Sequence, residues 1–113
     1  MIRNTTKRTV IARDFKKCKN IFSKAFGLML KNNITPLVFV FYREKFVPIH
    51  TLLVMRPIDL IYLDRNMTVV DLKENMVPYR FYTPKSRAMY LLELPAGSIS
   101  KSKTELGHTV NFK

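Results

Sequence analysis

"RPIDLIYLD", residues 56–64, decides the fold. Successive side chains of a strand point to opposite faces. Ile58, Leu60, Tyr62 and Asp64 form one alternating set, and Asp59, Ile61 and Leu63 the other. Both sets are apolar apart from the carboxylates, so the stretch predicts a central strand covered on its two sides. A carboxylate that begins a buried row is costly unless it is paired or hydrogen-bonded. Two readings of Asp59 follow from that cost. It accepts backbone N–H groups or pairs with an arginine such as Arg56 or Arg87; or it lines a small polar pocket, binding a ligand or moving a proton.

Outward from this strand the pattern stays β. "PLVFVFY" (36–42) and "FVPIHTLLVMR" (46–56) precede it, and "TVVDLKENM" (68–76) follows after the turn "DRNM", whose Asp and Asn suit tight turns. "VPYRFYTPKSR" (77–87) is bounded by prolines and predicts a loop, "AMYLLELPAG" (88–97) a strand, and "HTVNF" (108–112) the last strand. "KRTVIAR" (7–13) predicts the first strand. Two segments change period. Cys18, Ile21, Phe22, Ala25, Phe26 and Met29 recur at helical spacing, with Asp14 as a plausible cap, and predict an amphipathic helix with a basic outer face. "SISKSKTEL" (98–106) predicts a short helix capped by Ser98 and stopped at Gly107. The sum is a mainly β (α+β) fold: a compact, mostly antiparallel, barrel-like sheet of about seven strands, one N-terminal amphipathic helix and one short C-terminal helix.

At 113 residues, 47% hydrophobic and 25% charged, the chain suits a single domain over 1–113 with one core. Its longest apolar runs fall far short of the roughly 20 residues of a membrane helix, and no secretory pattern opens the chain. One cysteine gives no internal disulfide and, with two distant histidines, a poor zinc site. The expectation is a cytoplasmic protein, monomeric or weakly associating, with no cofactor. The net charge is +12, and most of it lies in the first 31 residues, where nine Lys/Arg face the single Asp14. Lys16, Lys17, Lys19 and Lys24 are the nucleic-acid candidates, because clustered cations attract polyanions.

Several segments together resemble a small prokaryotic family, domain of unknown function 192. They are "FGLML" (26–30), "PLVFVF" (36–41), "MRPIDLIYLD" (55–64), "LLELPAGSI" (91–99) and "LGHTVNF" (106–112), in this order over nearly the whole chain. The resemblance implies a compact β-rich domain and no defined activity. The chain departs from the family's common pattern twice. "HTLLVM" replaces a Trp-Met-Lys-Asn-Thr-like run, and His108 follows Gly107 where Gly-Asp is usual. A ligand site built on those family side chains is not carried over.

The remaining chemistry is sparse. Glu93 alternates with Met89 and Leu91, and if it met Asp59 the two carboxyls could divide acid and base roles. Cys18–His50 and Asp59–His108 are the other conceivable constellations, although Cys18 sits on an apolar stripe and no glycine-rich phosphate loop is present. The segment 79–87 offers stacking faces beside cations, with Tyr79, Arg80, Phe81, Tyr82, Lys85 and Arg87. The function expected is a non-enzymatic ligand-binding or interaction module with a polar site near Asp59 and the 79–87 loop, drawing on Glu93, Tyr79, Arg80, Tyr82 and Arg87. A basic nucleic-acid-binding module and a small Asp59/Glu93 enzyme are the alternatives.

Overall fold

The computed structural model describes residues 1–18, 35–50, 56–78 and 80–112. In chain order the described elements are β1 (Ile2–Asn4), β2 (Thr9–Ala12), β3 (Lys16–Cys18), β4 (Leu37–Lys45), β5 (Ile49–His50), β6 (Ile58–Leu63), β7 (Val69–Met76), β8 (Phe81–Tyr82), β9 (Ala88–Pro95), α1 (Ser98–Ser102) and β10 (Val110–Phe112). The fold is mainly β, as expected, but more finely divided. Strands form a five-stranded sheet in the order β3-β4-β9-β6-β7, a three-stranded sheet β10-β1-β2, and a two-stranded β5-β8 flap. All described pairings are antiparallel except β3–β4.

β6 is the strand the alternation predicted: all six of its residues are buried. It is interior, flanked by β7 and β9, while the middle position belongs to β9. Full burial of such a Leu or Ile side chain stabilises by roughly 1.5–3 kcal/mol, and β6 gains this on two faces. Ile58, Leu60 and Tyr62 join one core with Leu37, Phe39, Val47, Ile49 and Leu91. Ile61 and Leu63 join a second core with Ile2, Val38, Leu92, Leu94, Ile99 and Val110. The β5–β8 flap therefore closes the first face through Val47, Ile49 and Tyr82, and the three-stranded sheet with α1 closes the second.

Two expectations are corrected. Residues 16–18, placed at the start of the amphipathic helix, form strand β3 parallel to β4. Cys18 keeps its packing role, but on a strand in the first core; the rest of the helical stripe lies outside the described residues. Among the described residues α1 is the single helix, and it ends at Ser102. Among the described residues β3 and β7 end the five-stranded sheet, and the antiparallel Thr68–Thr109 bridge joins the β7 end to the three-stranded sheet. The remaining differences are local. Strand β8 falls inside the predicted 77–87 loop because Ile49 and His50 pair with Tyr82 and Phe81. Tight turns behave as their residues suggest: Asp64 Oδ1 accepts the Asn66 and Thr68 N–H groups at 2.8 and 3.0 Å.

Candidate functional site

Asp59 is fully buried, and its carboxylate is saturated by backbone. Oδ1 accepts the Asn75 N–H at 2.8 Å; Oδ2 accepts the Gly97 and Ile99 N–H groups at 3.1 and 2.9 Å. Local geometry aims these donors. Opposite Asp59 the β6–β7 register gains a residue between Lys73 and Met76, and Asn75 adopts φ 50° within that bulge. Gly97 takes φ 96° at the N-cap of α1, a conformation glycine adopts without strain. No side chain of α1 caps it, so Asp59 supplies the cap from another strand. Ser98, the expected cap, bonds the Pro95 carbonyl instead. The carboxylate thus ties β6, the β7 bulge and the β9–α1 turn together rather than facing a cleft.

Glu93 is the opposite case. In the β6–β9 ladder Asp59 stands across from Leu94 and Leu60 across from Glu93. Directly opposed residues share a face, so the sheet separates the two carboxyls. They cannot share an acid–base cleft, and the Asp59/Glu93 pairing is not formed. Glu93 is 3% exposed among Leu37, Leu60 and Leu91 of the first core. Its Oε1 has no hydrogen-bond partner among the described residues. Burial pushes its pKa up to about 8, since desolvation disfavours the charged carboxylate.

Beside Glu93 on this face lies a polar-aromatic cluster. The Tyr62 hydroxyl donates to the Val47 carbonyl at 2.8 Å, and burial, then the nearby Tyr82, Asp71 and Glu93, raise its pKa far above the usual phenol range. Tyr82 packs its ring 6.2 Å from that of Tyr62 and donates its hydroxyl to Asp71 Oδ1 at 2.7 Å. Burial and the Asp71 carboxylate push Tyr82 up to about 12. Asp71 also accepts the Leu72 and Lys85 N–H groups, both at 2.8 Å. Asp71 therefore pins both the flap and the start of the 84–87 turn to β7. Sequence reasoning passed over Asp71 and Tyr62; the signal was Asp71 at an alternating buried position of "TVVDL", beside Tyr62 in the neighbouring strand.

The other candidates scatter. Arg80 and Arg87 are exposed, and Arg87 lies 4.9 Å over the ring of Phe46. Tyr79, Lys19, Lys24 and the His50 side chain lie outside the described residues. Lys16 and Lys17 are exposed on β3, where strand alternation sends them to opposite faces rather than to one helical side. His108 Nδ1 accepts from Glu105 N–H at 3.1 Å and stands 3.0 Å from Asn4 Nδ2. Because the backbone N–H can only donate, Nδ1 is the acceptor of both bonds. Asp59 is occupied elsewhere, so no Asp59–His108 constellation forms. No group of three His, Cys, Asp or Glu among the described residues could hold a metal ion, and no described helix is long and apolar enough to cross a membrane.

Comparison with known proteins agrees with this architecture. A solved candidate transcription regulator from Sinorhizobium meliloti superposes with a TM-score of 0.77 at 20% identity, covering 86% of this chain and 79% of that one. A protein of unknown function from Novosphingobium aromaticivorans gives 0.77 at 17% identity, over 87% and 74%. At these identities the likeness is one of fold. A UPF0127 protein of the archaeon Thermococcus sibiricus is 36% identical over 116 residues, covering 100% of this chain and 75% of the relative. The model of the domain of unknown function 192 family, described as Uncharacterized ACR, matches residues 2–112. The chain belongs to that family.

Proposed function

We propose that the protein is a non-enzymatic ligand-binding module whose polar site is the Glu93 face of the five-stranded sheet, under the β5–β8 flap. The observation that carries this reading is the Glu93 Oε1 atom, buried and without a partner among the described residues. Buried polar atoms in folded proteins are nearly always hydrogen-bonded, and a ligand N–H or O–H would complete this one. The Tyr62–Tyr82–Asp71 cluster supports the reading because it offers aromatic walls and further polar groups on the same face. Of the sequence candidates, Glu93 and Tyr82 enter this site, Asp59 is excluded from it by the sheet, and Arg80 and Arg87 belong to its exposed surroundings.

The test is a nuclear magnetic resonance titration with three small donors: methylammonium, acetamide and urea. Shifts centred on Tyr62, Asp71, Tyr82 and Leu91–Leu94, and absent in a folded Glu93→Leu variant, are expected for at least one donor. Equal shifts in the variant, or none with any donor, would refute the site.

A further inference from the structure

An open concavity lies beside β3 of the five-stranded sheet, apart from Glu93. Arg13, Asp14, Phe15 and Lys17, with Met1, line an open volume of about 390 Å³, within the roughly 300–1,000 Å³ of small-ligand sites. Arg13, Phe15 and Lys17 stand at alternate positions on the link from β2 into β3. The chain bends at Arg13 and Asp14 before β3, and a guanidinium, a ring and an ammonium line the same hollow. Arg13 and Lys17 are exposed and Phe15 half-buried. The ring is held by packing: Phe15 meets Phe112 edge-on at 6.0 Å, and Phe112 meets Tyr90 at 5.4 Å. Lys17 Nζ rests 5.5 Å from the Phe112 ring centroid, which anchors the cation at the rim. Residues 1–18 carry Arg3, Lys7, Arg8, Arg13, Lys16 and Lys17 against the single Asp14, so the local field is positive.

We propose that this concavity binds a nucleotide unit, free or within single-stranded RNA or DNA, with its phosphate held by Arg13 and Lys17 and its base against Phe15. Cations interleaved with an aromatic ring are what phosphate and base together require. Charge alone would attract any polyanion, so the fixed ring beside the two cations is what selects a base-bearing one. Asp14, the one carboxylate in the lining, opposes the phosphate.

The test uses fluorescence anisotropy with labelled oligo-uridine and oligo-thymidine fifteen-mers, and calorimetry with AMP, all at low salt. Arg13→Glu/Lys17→Glu is expected to weaken binding at least tenfold. The control Lys73→Glu/Lys85→Glu carries the same charge change at the β7 side and is expected to cost under threefold. For single strands each lost phosphate contact removes about 0.7 from the logarithmic salt slope, so the first variant should be shallower by about 1.4. Asp14→Asn should tighten binding. Phe15→Leu should weaken AMP binding while leaving competition by inorganic phosphate unchanged. Oligonucleotide binding that AMP fails to reproduce identifies the polymer as the source, and comparable AMP binding identifies the free nucleotide; either supports the site. Equal losses in the two charge-reversed variants, equal competition by polyglutamate, or no binding of any probe overturns it.

Discussion

Replacing Glu93 by Gln changes one proton-binding group in the middle of the first core and leaves its shape nearly intact. The wild-type carboxyl has its pKa raised by burial from 4.5 to about 8. Below pH 4.5 it is protonated in both the folded and the unfolded chain, and its ionisation costs the fold nothing. Between 4.5 and about 8 the unfolded chain releases the proton and the folded chain retains it, so stability falls as pH rises. Above about 8 both states are ionised and the loss is complete. At 1.36 kcal/mol per pKa unit the loss approaches about 5 kcal/mol, a large share of the 5–15 kcal/mol typical of a domain. Glutamine cannot ionise. The stability difference between Glu93→Gln and the wild type should therefore grow in favour of the variant from pH 5 to pH 9, while contributions from other titrating groups cancel. Urea denaturation at five pH values across that range measures it. A difference that stays flat with pH would refute the reasoning, because Glu93 would then be ionised and compensated in the folded state.

Three further outcomes test the rest of the architecture. Asp59→Asn should cost about 1–3 kcal/mol in urea denaturation, because an amide can still accept from Gly97 and Ile99 but turns its NH2 toward the Asn75 N–H; wild-type stability would show that Asp59 is not the tie. Tyr82→Phe removes the bond to Asp71 and should cost about 1.5–3 kcal/mol, with faster amide exchange in β5 and β8 and unchanged exchange in β1 and β10. His108→Asp should be nearly neutral in thermal melting, since a carboxylate presents an acceptor to the same Asn4 and Glu105 donors, whereas His108→Leu orphans a donor of the fully buried Asn4 and should cost about 1–3 kcal/mol.

The sequence by itself determined which segments are strands wherever a period was long enough to show. β4, β6, β7 and β9 were legible from alternation or sustained apolar runs, and the Asp64 turn from its residue types. β2, β5 and β10 fall within segments whose residue types mark them as strand, whereas β1, β3 and β8, of two or three residues, carry too few alternations to be seen; they exist because a neighbour offers a ladder. β3 was mistaken for helix because Lys16, Lys17 and Cys18 fit either period until β4 pairs with them. The same limit governed the site. Sequence marked Asp59 and Glu93 as anomalous carboxylates in apolar strands, but a one-residue difference in register decides whether two such groups meet or stand on opposite faces. Only the tertiary structure fixes that register. It gave Asp59 three backbone donors brought from two other segments, and left Glu93 Oε1 with none among the described residues.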